Sequence, residues 1–308
     1  MADRSSVPST ARRAHRRRAV DDDGPSSWLF TLPAFIILFL FVLYPFCNTV
    51  RLSFTNSRML IPGHFVGFEN YIKLFSDDRF GTALLNSSLY VVCVVPFMLI
   101  LPLILASLVA KGPKIIGFFR TTYYFPVVLS AVVIGLIWTN LLDSRGLINS
   151  IFLSLKWISK PIPFLTDRWL TLFSAMLVTI WEGLGYYMII YLAALANIDP
   201  SLYEAAEIDG AGSVRQFFHI TVPGVRSTMT LILFLSSVSA FRVFAEVYVL
   251  TRGSGGIGGE DLTMTMLIQR EGTGLSARTG YASAISVVLL IIVGALTIIQ
   301  QLIVRRRD

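Results

Sequence analysis

Six runs of apolar residues, each long enough to cross a bilayer as a helix, recur along this 308-residue chain. They lie near Trp28–Val50, Leu84–Val109, Thr122–Leu142, Leu170–Ala194, Met229–Leu250 and Ala282–Val304. A hydrocarbon layer ~30 Å thick takes ~20 helical residues to span. Backbone in lipid must satisfy its own hydrogen bonds, which makes a helix the natural form for each run. The chain is 54% hydrophobic and 15% charged, where a soluble protein carries ~25% charge. It cannot clothe a soluble surface. The expected class is an all-α integral membrane protein with six transmembrane helices.

The net charge of +7 does not point to nucleic acid. Arg12, Arg13, Arg16, Arg17, Arg18 and Arg305, Arg306, Arg307 all flank apolar runs, where arginines hold helix ends on the cytoplasmic side. With the amino terminus inside, fourteen of the 26 Lys and Arg fall on the cytoplasmic side, among them Lys111, Lys114, Arg120, Arg215 and Arg226. Both termini are therefore expected in the cytoplasm. Residues 1–27 are polar and rich in Arg and Ser, and they read as a disordered tail. Residues 28–304 form the membrane domain, and 305–308 a short cytoplasmic end. The first run is too long for a secretory signal core and lacks a small-x-small cleavage site, so it is expected as an uncleaved anchor. Ile148–Ile158, after the third run, is expected as a short helix at the interface.

Several local patterns do not carry chemistry. Cys47 and Cys93 both sit in apolar runs and read as packing residues. Gly253, Gly255 and Gly258 match a dinucleotide fingerprint but follow a membrane helix, not a strand. The chain has no Gly-Lys-Ser/Thr phosphate loop, so ATP hydrolysis is not expected of it. His15, His64 and His219 are scattered and form no zinc spacing; His219 is expected to help pack a short helix. Asn86-Ser87-Ser88 matches a glycosylation acceptor but begins an apolar run.

Between the fourth and fifth runs, local chemistry predicts two short helices. Asp199-Pro200 supplies a capping side chain followed by proline at the first helical position. Ser201 with Glu204 fits a capping box two residues later. Gly210 stops the first helix where a left-handed backbone is cheap. Ser213 with Gln216 fits a second box, and Pro223 interrupts before the next run. Leu202, Ala205, Ala206 and Asp209 share adjoining turns, and the alanines leave the helix slim enough to enter a groove. Glu204 and Glu207 remain to face basic or amide groups of a partner.

Glu204-Ala205-Ala206, with Gly210 six residues after the glutamate and then Ile220 and Pro223, resembles the signature loop of ATP-binding-cassette importer permeases. Tyr124-Phe125-Pro126, Gly135-Leu136-Ile137-Trp138 and Gly146-Leu147-Ile148-Asn149 resemble the third-span region of carbohydrate permeases of the maltose and glycerol-phosphate type. The segment Phe241–Gly253 resembles the end of their fifth span, departing at Ala245, where many relatives carry an acidic residue. The resemblance implies a type I importer permease fold with a cytoplasmic loop over 196–226. It also implies a second, similar permease in the bacterial inner membrane and an extracytoplasmic solute-binding protein. Two ATPase subunits would hold ATP and magnesium, this chain holding no cofactor or metal itself. The ATPases would be engaged through Leu202, Glu204, Ala205, Ala206, Glu207, Asp209 and Gly210.

Glu182, Arg242 and Glu246 fall inside apolar runs, where a charge at the bilayer centre costs ~2.5–3.5 kcal/mol. Two readings stand side by side. Arg242 and Glu246, four apart on one helix, neutralise each other; or these groups belong to a solute path. Sugars need hydrogen bonds to hydroxyls and flat rings against their apolar faces. Asn140, Glu182, Tyr186, Arg242, Phe244 and Glu246 are the candidates for that path. Trp138, Trp181, Tyr187, Phe241 and Tyr248 are further aromatics of the same zone, which an interfacial belt would also explain. The expected activity is ATP-driven import of a sugar. The alternatives are import of a phosphorylated polyol such as glycerol phosphate, which Arg242 would suit, and an ion-coupled secondary transporter. A membrane enzyme would need a convergent catalytic cluster, and none is seen.

Overall fold

A computed structural model describes residues 25–110 and 116–305. Residues 1–24, with His15, the basic tail, Lys111, Lys114, Arg306 and Arg307, lie outside the described residues. The described chain is helical apart from loops and an isolated β-bridge between Thr55 and Phe65. Six stretches among these residues are long and apolar enough to cross a membrane: Thr31–Ser53, Asp78–Ala110, Ala131–Ser154, Arg168–Leu195, Arg226–Leu250 and Thr279–Arg305. The fold is that expected from the sequence, with two internal differences.

The described residues up to Arg51 form one unit and those from Leu52 onward another. In the first, α1 (Pro25–Leu38) starts within the expected tail and passes through a π-helical turn, Phe39–Leu43, into α2 (Tyr44–Ser53). Pro45 has no N–H for the turn before it, and the wider turn absorbs the missing bond. Side chains 31–47 are all exposed, Cys47 among them, so Cys47 is not the packing residue expected.

The second unit is built on α4 (Asp78–Ala110) and α8 (Arg168–Leu195), which pack along each other. Tyr90 and Met98 of α4 and Leu172, Met188 and Tyr191 of α8 are buried between them. In lipid such contacts hold by close packing and hydrogen bonds, because apolar burial gains little there. Pro102 disturbs the backbone ladder of α4, and the Tyr191 hydroxyl donates to the nearby Leu99 carbonyl at 3.0 Å. Gly185 of α8 lies against the Tyr123 backbone so closely that an added Cβ would sit 2.1 Å from its carbonyl oxygen.

The first difference is that the expected third run is two helices. α5 (Ile116–Val128) packs on α8 and ends before Ser130, whose hydroxyl accepts from Val132 N and caps α6 (Ala131–Leu142). The short helix expected after it is α7 (Leu147–Ser154).

The second difference is in the fifth run. α12 (Arg226–Phe241) stops, and α13 (Ala245–Leu250) starts only after Phe244 has taken φ −141° and ψ −59°. The Val243 carbonyl at the break accepts from the Thr263 hydroxyl at 2.9 Å. Arg242 and Glu246 therefore do not share a helical face. No ion pair joins them among the described residues.

The segment between the fifth and sixth spans is anchored on α4. Asn86 is fully buried and donates to the carbonyls of Glu260 (2.8 Å) and Leu262 (2.9 Å), a structural use of the glycosylation-like triplet. The glycine-rich stretch so fixed leads to α14 (Met264–Gly272), which packs on α15 (Thr279–Arg305). Glu271 bridges Arg79 (3.0 Å) and Arg278 (2.6 Å), and Tyr281 donates to Asp77 at 2.9 Å. Burial would raise the Asp77 carboxyl, but hydrogen bonds from Arg79 and Tyr281 outweigh it and hold it below its ordinary value.

Candidate functional site: a hairpin and a cavity joined by two helices

The hairpin follows α8 directly. Asp199 Oδ1 accepts from Ser201 N at 2.9 Å and Pro200 takes the first turn of α9 (Pro200–Ile208), so the cap is Asp199 and not the Ser201–Glu204 box. That backbone bond holds the Asp199 carboxyl below its usual range. Gly210 has φ +74° with open space around it, as the helix stop requires.

Beyond the stop, Gly212 and not Ser213 is the residue before α10 (Ser213–Gln216). Gln216 reaches back to the Ala211 carbonyl at 3.0 Å, which replaces the second expected capping box. A second π turn, Phe217–Thr221, leads to α11 (Val222–Gly224) and α12. Here too a proline, Pro223, stands two residues after the π turn. His219 is exposed and bonds the Arg215 carbonyl of α10 at 3.0 Å.

No residue of α9 is buried. Leu202, Glu204, Ala205, Glu207, Asp209 and Gly210 are exposed, and Ala206 is half-buried beneath them. Ile208, not among the expected contact residues, is 88% exposed, the barest large apolar side chain described. Tyr203 holds the helix down, its hydroxyl 2.9 Å from Thr221 Oγ1. The arrangement is a slim, capped helix with a free outer face.

The cavity lies halfway along α8. Thr179, Glu182, Gly183, Tyr186 and Tyr187 line it from α8, Val94 and Met98 from α4, Ser236 and Ser239 from α12, and Glu246 from α13. Its volume of about 380 Å³ falls in the ~300–1,000 Å³ range of small-molecule sites. Glu182 Oε2 is buried with no hydrogen-bond partner. The Tyr187 hydroxyl, on a side chain 6% exposed, also has none among the described residues. Tyr90 at the wall reaches Thr179 Oγ1 at 3.2 Å.

Of the six path candidates, Glu182, Tyr186 and Glu246 meet here. Asn140 is exposed, does not line this cavity, and donates to the Leu136 carbonyl at 2.8 Å. Phe244 stacks on Tyr248, ring centroids 4.9 Å apart. Arg242 is exposed and opens on an adjoining cavity with Phe234, Leu235, Val238 and Ser239. A phosphorylated solute in the main cavity would thus meet no lining cation. Trp138 and Trp181 pack edge to face at 5.6 Å. Reasoning from sequence missed Thr179, Ser236 and Ser239. The available signal was polarity at helical spacing, Thr179 to Glu182 to Tyr186 on one face of α8.

Hairpin and cavity share α8. α8 is 28 residues long, about 42 Å at 1.5 Å per residue, with Glu182 near its middle and α9 beyond its end. At its other end Arg168 feels the charge of Asp261, between the fifth and sixth spans. The hairpin and that segment therefore lie at opposite ends of α8.

Comparison with known proteins agrees with this architecture. Residues 75–308 match the family described as binding-protein-dependent transport system inner membrane component. The lactose transport system permease protein LacF of Rhizobium radiobacter is 33% identical over 97% of this chain and 99% of its own length. The arabinooligosaccharides transport system permease protein AraP of Bacillus subtilis is 31% identical over 96% of this chain and 93% of its own. In three dimensions, a chain of a bacterial ABC transporter that imports the acidic polysaccharide alginate superposes with a TM-score of 0.78. That match has 24% identity and covers 91% of this chain and 95% of that one. Six spans, the order of the helices and a match over most of the sequence place this chain in the family of inner-membrane components of binding-protein-dependent transport systems.

Proposed function

We propose that this chain is a permease subunit of an ATP-driven sugar importer, and that its hairpin transmits the work of partner ATPases to the cavity. The observation that carries this is connectivity. The loop over 196–225 joins α8 to α12, the two helices that supply most of the cavity's polar lining. A push on α9 reaches both walls through rigid helices.

The partners follow from what this chain displays and lacks. The bare face of α9, from Leu202 to Gly210, suits a groove on an ATPase, which would supply ATP, magnesium and hydrolysis. The unburied apolar surface of α1 and α2 suits lipid and a second, similar permease. An extracytoplasmic binding protein would deliver the sugar to the end of α8 remote from the hairpin, with both termini of this chain in the cytoplasm. The sugar class rests on the named relatives, which carry lactose and arabinooligosaccharides, and on a cavity furnished with tyrosines, hydroxyls and carboxylates.

In this cycle ATP favours the closed ATPase pair, α9 moves as a lever, and α8 and α12 open the cavity outward. Hydrolysis reverses the change. ATP drives it only by binding the closed state more tightly than the open one. The test is Glu204→Lys and Gly210→Pro. Both variants insert into the membrane, yet sugar and its binding protein no longer stimulate ATP hydrolysis. Normal coupled uptake by both would overturn the reading.

A further inference from the structure

Resting on that reading of the cavity, we propose that Glu182 and Glu246 make it a charge filter that admits neutral or cationic saccharides, such as amino sugars, and turns away uronates and sugar phosphates. The two carboxylates enter from different helices and line one space, close enough for their charges to act on each other. Among the described residues, no Lys, Arg or His lines that space with them. The nearest arginine in sequence, Arg242, opens on the adjoining cavity, which shares Leu235 and Ser239 but neither carboxylate.

The furnishing fits a hydroxyl-rich or amine-bearing ligand. Glu182 Oε2 is a buried acceptor without a donor. The Tyr187 hydroxyl, on a nearly buried side chain, is a donor and acceptor with no protein partner among the described residues. A sugar hydroxyl donating to the carboxylate makes a charge-assisted bond, and a protonated amine makes a stronger one. An anion has neither option and meets like charge in a medium of low dielectric. Rings of carboxylates select cations in channels by the same physics. The sign holds as long as one of the two stays ionised, because two carboxylates that share one proton still carry one negative charge.

The filter is read without knowing the natural solute. Thr179 lines this cavity and not the adjoining one. A Thr179→Cys chain with Cys47→Ser and Cys93→Ala, assembled with its partners in membranes, is treated with three methanethiosulfonates. One carries trimethylammonium, one sulfonate, and one is the neutral methyl compound. The cation-to-anion rate ratio is expected at least tenfold above the ratio for a free thiol. Glu182→Gln with Glu246→Gln should bring it within threefold of the free-thiol value, each single change going part of the way. A wild-type ratio equal to that of the free thiol, with the neutral reagent still reacting, overturns the filter and leaves the path standing. The same holds for a ratio that the double change does not move. Failure of the neutral reagent to react in any nucleotide state means a sealed cavity, which overturns the path and the filter with it.

Discussion

Tyr203 in α9 and Thr221 at the end of the second π turn bring their hydroxyls to 2.9 Å, so the outward-facing helix is tied to the segment that enters α12. The bond closes the hairpin on itself and makes it one body. A lost neutral hydrogen bond costs about 1 kcal/mol. Tyr203→Phe should leave the unfolding temperature of the assembled importer nearly unchanged while ATP consumed per sugar imported rises about two- to fivefold. Parallel measurement of ATPase rate and uptake in proteoliposomes checks this.

Ile208 offers a separable test of docking. An apolar side chain 88% exposed at the end of a capped helix has its full surface available to a partner. Burying such a side chain contributes about 1.5–3 kcal/mol. Ile208→Asp should therefore weaken retention of the ATPase subunits by at least tenfold in a pull-down from detergent, without reducing the amount of chain in the membrane. Retention equal to wild type would remove Ile208 from the interface.

Asp261 gives the segment between the fifth and sixth spans a pH dependence. The side chain is 1% exposed, its Oδ1 has no partner, and burial pushes its carboxyl up to about 7 despite the attraction of Arg168. Unfolded, the group titrates near 3.8. Between those values the folded state holds the proton that the unfolded state has lost. Stability from this residue is whole below pH 4 and falls as pH rises to about 7. Against Asp261→Asn, which stays neutral, the wild type should lose about 4 kcal/mol across that window. Thermal unfolding of the two proteins in detergent at several pH values reads the difference.

Glu271 is the keystone of that segment's network. It takes Arg79 on one oxygen and Arg278 on the other, linking the starts of α4 and α15 through α14. Its side chain is 8% exposed while both arginines are more than 40% exposed, so solvent screens part of the loss when it is removed. Glu271→Gln should cost about 1–2 kcal/mol of stability. A calorimetric scan with an unshifted midpoint would show that the network carries no net stability.

The spans were legible because lipid tolerates little ambiguity, and the hairpin because Asp199, Pro200 and Gly210 each enforce one backbone state. The break over 242–244 was not. Phe241-Arg242-Val243-Phe244 contains neither glycine nor proline, and what satisfies the opened backbone is Thr263, twenty residues on. Without that break Glu246 would be read as the helical neighbour of Arg242, when it faces Glu182. Asn140 lies outside the cavity and donates to its own helix at Leu136. Ser236 likewise bonds the Ile232 carbonyl at 2.6 Å, so its hydroxyl costs little in an apolar helix and still borders the cavity.

If the hairpin moves the cavity walls, the labelling rate of Thr179→Cys from the side remote from the hairpin reports the movement. Full importer in sealed proteoliposomes is treated with the membrane-impermeant trimethylammonium reagent, with and without a non-hydrolysable ATP analogue inside. The rate should rise at least tenfold with nucleotide, and Ile208→Asp should abolish the rise. Equal rates in both nucleotide states with the intact hairpin would contradict the account.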